Sequence, residues 1–227
     1  MRLTQALNRI DRSRQTGQNR AMTQTTKAYR VTAFDLPPEL KEMPLGSPDA
    51  DQVQVKIHAS ALNFADILMC KGTYQDTPTP PFTLGLELAG EVVALGKEVT
   101  DLALGQRVAV FSGQGGLATF GNFSASRCVP IPDGLGYDTA AALQIAYGTS
   151  HMALSYKARL MPGERLVVTG AAGGVGLTAV EIGKRMGAEV IAIARGADKL
   201  AVAQKAGADH LIDAEAGDIR DQIKALG

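Results

Sequence analysis

Gly170-Ala171-Ala172-Gly173-Gly174-Val175-Gly176 is the stretch best suited to hold a reactive ligand. Small residues let a backbone approach a pyrophosphate closely. A helix opening at the same place offers unpaired N–H groups and the positive end of its dipole. The spacing is that of a G-x-G-x-x-G fingerprint, with Ala171 in first place and an added Gly174. Ala171, Ala172, Gly173, Gly174, Val175 and Gly176 are therefore the expected contacts to a dinucleotide. An NAD-binding unit usually carries an acid about 20 residues further on, for the ribose 2′-hydroxyl. Here Arg195 stands at that place, and Lys199 follows one helical turn later. Two cations attract a 2′-phosphate where an acid would repel it. The expected cofactor is NADPH, with Arg195 and Lys199 on that phosphate. Glu189 sits at the wrong end of its strand to restore NAD.

Such a turn needs a strand before it and a helix after it. Arg165–Thr169 and Val190–Ala194 are short Val/Ile/Leu runs fit for buried parallel strands. Val175, Ala179, Ile182 and Met186 repeat at helical spacing between them, and Gly187 caps the run. A third strand is expected at about His210–Ile212 and a helix over Asp218–Leu226. Upstream, the spacing changes to strands and turns. Strands are expected at Ala28–Phe34, Gln52–Ala59, Glu87–Leu95, Gln106–Phe111 and Ala118–Cys128, with a short helix over Asn63–Lys71. Leu36-Pro37-Pro38 ends the first of these, and Gly72–Thr83 reads as a loop. An Ala-rich helix over Thr139–Tyr156 leads into the glycine unit. The fold class is α/β: a β-rich N-terminal domain followed by an incomplete Rossmann domain with a parallel, doubly wound sheet.

The 227 residues carry no net charge and few aromatics, which argues against a nucleic-acid surface. No apolar run approaches membrane-spanning length. Cys70 and Cys128 form no CxxC pair and no disulfide framework, and they suit a reducing compartment, so a cytoplasmic protein is expected. Met1–Ala21 is rich in Arg and poor in acid, as a mitochondrial transit peptide is. It shows no amphipathic stripe, so a disordered extension, or an extension before a start at Met22, is the preferred reading.

Asn63-Phe64-Ala65-Asp66, Gly72-Thr73-Tyr74, Gly85-Leu86-Glu87-Leu88-Ala89-Gly90-Glu91-Val92, Gly105-Gln106-Arg107-Val108, Ala146-Tyr147-Gly148-Thr149 and Gly170–Gly176 follow one another in this order. In that order and composition the chain resembles the medium-chain dehydrogenases/reductases, and most of all their zinc-free quinone oxidoreductase branch, which includes zeta-crystallin. The resemblance runs from about Lys27 to the end. It implies a GroES-like catalytic domain over 27–148 and a partial Rossmann NADP-binding domain over 149–227, after a disordered extension over 1–26. In zinc-dependent relatives a Cys, a His and a Cys hold the catalytic metal. Those places fall here at Asn63, at Leu86 and near Ile145, none of which ligates zinc in the usual way. A four-cysteine structural zinc lobe is impossible with two cysteines. No metal is expected.

Without a Lewis acid, an unactivated ketone is a poor hydride acceptor. A quinone, an enone or an enoyl thioester is already electrophilic at carbon, and the oxyanion formed needs only hydrogen-bond donors. Tyr74 is the expected donor. By resemblance, Asn63 and Tyr74 lie near the nicotinamide and the acceptor, Thr149 lines the nicotinamide site, and Lys199 meets the 2′-phosphate. A further family contact to that phosphate, a tyrosine, falls at Ala214, and an aromatic of some relatives' substrate pockets falls at Leu68. The expected activity is NADPH-dependent reduction of a small-molecule quinone or enone. An enoyl-thioester reductase is the alternative enzyme. An inert fragment or an NADPH-binding structural protein is the alternative of another class. Of the sheet order 3-2-1-4-5-6, only 3-2-1 is encoded. The chain is accordingly expected to be a truncated form of a longer protein, with a homodimer as the full-length state.

Overall fold

The computed structural model describes residues 24–227, so the reading of Met1–Ala21 lies outside the described residues. The N-terminal half is built from two antiparallel sheets. β1 (Gln24–Val31) lies between β2 (Glu39–Leu45) and β4 (Phe82–Thr83). β3 (Gln52–Ala61), β5 (Glu87–Leu95), β6 (Arg107–Phe111), β7 (Phe120–Ser124) and β8 (Cys128–Pro130) form the second sheet, in the order β7-β3-β5-β6-β8. Val53 and Val55 of β3 meet Leu88, Val92, Val108 and Val110 in its buried core. α1 (Phe64–Cys70) follows β3 and packs Met69 against Val31, Phe82 and Leu84.

Several elements depart from expectation. β1 begins at Gln24, inside the extension expected over 1–26, because the Thr26 hydroxyl is buried and donates to Phe120 O at 2.8 Å. It also ends at Val31 rather than Phe34, in a turn where Asp35 takes φ 60°. β2 was not expected: its charges and Pro44 hide it, yet it is an outer strand with mostly exposed side chains, where proline is tolerated. The single strand expected over Ala118–Cys128 is broken by a 3₁₀ turn at Ala125–Arg127, so its two parts sit at opposite edges of the sheet.

α2 (Tyr137–His151) starts two residues before the expected Thr139 and continues as a wider π-helical turn, Met152–Ala158. Ala140 and Ala141 pack on Ala89 and Ala109 of the large sheet, small residue against small residue. The α/β half then follows. β9 (Arg165–Thr169), β10 (Glu189–Ala194) and β11 (His210–Asp213) pair in parallel in the order β11-β10-β9. α3 (Gly174–Arg185), α4 (Ala197–Lys205) and α5 (Ile219–Lys224) are the helices. α3 lies so close to β9 that a Cβ on Gly183 would come within 2.3 Å of Leu166 Cδ2. Its buried stripe includes Val180, whereas Val175, expected on that stripe, is exposed in the first turn. Gly187 ends the run at φ 86°, as expected of a left-handed cap.

Asp66 ties α1 to the sheet. It is 6% exposed, and its two carboxylate oxygens accept from Asn63 N at 2.8 Å and Gly85 N at 3.1 Å. Burial pushes its carboxyl above the usual range, against the pull of those two N–H groups. Asp66→Ala would leave both donors without their acceptor. It is expected to cost about 2–4 kcal/mol in thermal unfolding, from one lost cap and one orphaned buried N–H. Asp66→Asn, which keeps one acceptor oxygen, is expected to cost less.

Candidate functional site

The glycine turn joins β9 to α3, as its sequence requires. Gly170 takes φ 61°, and Gly173 N donates back to Gly170 O at 2.9 Å, closing the loop. Gly176 has no alternative: a Cβ there would lie 2.2 Å from Gly170 O. Around Gly174 a Cβ would meet nothing within 4 Å, so the turn is open on that side. The backbone of Gly173 precedes the helix as its N-cap, and no side chain caps the first-turn N–H groups. These groups therefore remain available to an anion. Ala171 plays a different part. It is fully buried, and its N–H donates to Ile193 O at 3.1 Å, which binds the turn to β10.

A cavity of about 440 Å³ opens beside this turn. Gly170, Ala172 and Gly173 line one side, and Arg195, Lys199 and Ala214 line another. Arg195 and Lys199 are exposed, and neither is paired with a carboxylate among the described residues. Asp213 holds the loop that carries Arg195: its Oδ1 accepts from Glu215 N at 3.0 Å and Gly196 N at 3.1 Å. Those two N–H groups hold its carboxyl below the usual range, so it stays ionised and occupied. No carboxylate lines the cavity. A small uncapped cradle with two cations beside it suits the phosphate groups of a dinucleotide.

A second cavity, about 580 Å³, lies where the two halves meet. Tyr74, Leu86, Ile145, Thr149 and Met152 contribute to its walls. Tyr74 is placed by packing against the cluster of Val31, Met69 and Phe82, and by a turn in which Thr77 Oγ1 donates to Tyr74 O at 2.5 Å. Thr149 comes from α2, which is bolted to the cradle helix. Ser150 Oγ donates to Val175 O at 2.8 Å and Thr178 Oγ1 to Ala146 O at 3.0 Å. Tyr147 adds a 2.5 Å bond to Glu181 of α3, and that neighbouring carboxylate raises the tyrosine's pKa. Cavity and cradle are thus held in one frame.

Asn63 does not line this cavity. Its Nδ2 donates to Glu87 Oε1 at 3.1 Å, while Glu87 Oε2 accepts from Ile145 N at 2.9 Å. Glu87 is 1% exposed and links the loop before α1 to α2. It escapes a sequence reading because β-strand alternation accounts for a glutamate in Glu-Leu-Ala-Gly-Glu without any buried role. The arrangement also answers the question of zinc. Asn63 and Glu87 are engaged with each other, and Leu86 and Ile145 offer no ligating side-chain atom. This donor set does not fit the metal.

Comparison with known proteins adds to this geometry. Residues 49–133 match the alcohol dehydrogenase GroES-like domain, and residues 174–227 match the zinc-binding dehydrogenase family. The chain is 43% identical over 183 residues to the quinone oxidoreductase-like protein 2 homolog of Nematostella vectensis, covering 77% of this chain and 48% of that protein. The chain belongs to the medium-chain dehydrogenases/reductases. Within that family it stands with the zinc-free quinone oxidoreductases. The crystal structure of the quinone oxidoreductase from Thermus thermophilus, also solved in complex with NADPH, superposes with a TM-score of 0.78 at 32% identity, covering 88% of this chain and 63% of that one. The CurK enoyl reductase gives 0.81 at 28% identity, with 88% and 63% covered. The chain spans about half the length of the curated relatives it matches. Among the described residues no helix is long and apolar enough to cross a membrane.

Proposed function

We propose that the protein is an NADPH-dependent reductase of quinones or other conjugated carbonyl acceptors that works without zinc. The observation that carries this reading is the placement of Arg195 and Lys199 on the same carboxylate-free cavity as the glycine turn. When bound, NADPH supplies a hydride, that is two electrons with one proton, and leaves as NADP⁺. The first-turn N–H groups of α3 would hold the pyrophosphate and Arg195 and Lys199 the 2′-phosphate, with Thr149 available to the nicotinamide end. The acceptor sits against the apolar wall of Leu86 and Ile145, which keeps water from the reacting carbon. As a quinone takes up the hydride, negative charge gathers on a carbonyl oxygen. The Tyr74 hydroxyl donates to that oxygen, and solvent supplies the proton that completes the hydroquinone. Asn63 acts as a positioning residue: through Glu87 it fixes Ile145, and with it the wall of the cavity. Free Cys70 and Cys128 support a reducing compartment, such as the cytoplasm.

A second reading, reduction of an enoyl thioester, is favoured by the likeness to CurK. Both acceptors need hydride at an activated carbon and a donor at oxygen. Rates of NADPH oxidation with a benzoquinone and with a crotonyl thioester separate them. We expect kcat/KM to favour the quinone by about tenfold or more. The opposite ratio would put the thioester first, and no oxidation with either would remove both.

A further inference from the structure

We propose that Gln144 is a second hydrogen-bond donor to the acceptor's carbonyl oxygen, opposite or beside Tyr74 in the cavity between the two halves. This rests on the reading of that cavity as the acceptor site. Gln144 follows Ala140 by four residues and Ala141 by three, so helical spacing puts it in line with the two alanines that pack on the large sheet, and the residue is half-buried. An amide is out of place on a stripe of alanines. Its Nε2 is shielded from solvent and has no hydrogen-bond partner among the described residues. Burying a donor without a partner is costly, and folded chains rarely leave one unmatched. Exchanging the amide's N and O atoms does not remove the difficulty, since an unpaired polar atom then stands in the same place.

The surroundings say what would match it. Gln144 lines the same cavity as Tyr74 and Thr149, and apart from Lys157 the remaining side chains of the wall are apolar, among them Leu86, Phe111, Ile145 and Met152. A flat apolar ring bearing a carbonyl fits such a wall and presents one strong acceptor oxygen. Two neutral donors, a phenol and an amide, suit an oxygen whose charge grows as hydride arrives. They also reject the corresponding hydrocarbon, because it would leave the amide unpaired.

The test is binding, measured by calorimetry on the purified protein without cofactor. Anthraquinone-2-sulfonate and anthracene-2-sulfonate share one skeleton and one charge and differ in the two ring carbonyls. The wild-type protein is expected to bind the quinone about tenfold tighter. In Gln144→Leu the ratio is expected to fall by about tenfold, with the hydrocarbon bound at least as well as before. Melting of the variant is expected at the wild-type temperature or above, since an amide with no partner contributes nothing to the fold. An unchanged ratio overturns the assignment of Gln144 alone. A lower melting temperature in both Gln144→Leu and Gln144→Met, or failure of both to fold, also overturns it by showing a structural role. Failure of the wild-type protein to bind the quinone overturns the assignment together with the reading of the cavity.

Discussion

An Arg195→Asp, Lys199→Ala double variant is expected to lose about a hundredfold in NADPH affinity while gaining affinity for NADH. Hydrogen bonds to charged groups contribute about 1.5–3 kcal/mol each. Both side chains are exposed, so the lower figure applies, and it corresponds to about tenfold for each cation. Two together give the hundredfold. The introduced aspartate adds two effects of opposite sign for the two cofactors: it repels a 2′-phosphate and accepts from a free ribose 2′-hydroxyl. Asp213 holds the loop through Gly196 N and Glu215 N, neither of which is altered, so the cavity itself should persist. Titrating both cofactors into wild-type and variant protein checks this. If the NADPH/NADH affinity ratio does not move, the 2′-phosphate lies elsewhere.

Tyr74→Phe is expected to lower kcat by about a hundredfold with KM changed little. The ring packs against Val31, Met69 and Phe82, and phenylalanine keeps that packing. Only the hydroxyl is lost. Removing one donor from an oxyanion costs about 10²–10³ in kcat. The lower value is expected where Gln144 supplies a second donor to the same oxygen. Since the charge develops only as hydride arrives, the loss belongs to kcat rather than to binding. Steady-state kinetics with a quinone at saturating NADPH measures it. A kcat within about twofold of wild type would make Tyr74 a packing residue and remove it from the chemistry.

The βαβ unit was the most legible part of the chain. Its signals are local: a Val/Leu run, a turn of small residues, a helical repeat and a capping glycine, all within Arg165–Ala194. Arg195 and Lys199 were legible for the same reason, since the topology of the unit fixes where the end of its second strand must point. Residues whose role depends on distant partners were not. Glu87 reads as an ordinary strand glutamate until Asn63 and Ile145, far from it in sequence, are seen to meet it. β2 was hidden because an outer strand with an exposed face needs no apolar alternation, only the register that β1 supplies. Gln144 vanished into an alanine-rich helix, and its significance lies in what it fails to touch. The amide of Asn63 is turned to Glu87, a contact that no spacing rule encodes.

Recognition of a 2′-phosphate by the cavity beside the glycine turn is testable with half of the dinucleotide. Adenosine 2′,5′-bisphosphate and 5′-AMP differ by that phosphate alone. Calorimetric titration of the wild-type protein should give an affinity for the bisphosphate about a hundredfold greater, and the difference should disappear in the Arg195→Asp, Lys199→Ala variant. Equal affinities in the wild-type protein would mean that this cavity does not recognise a 2′-phosphate.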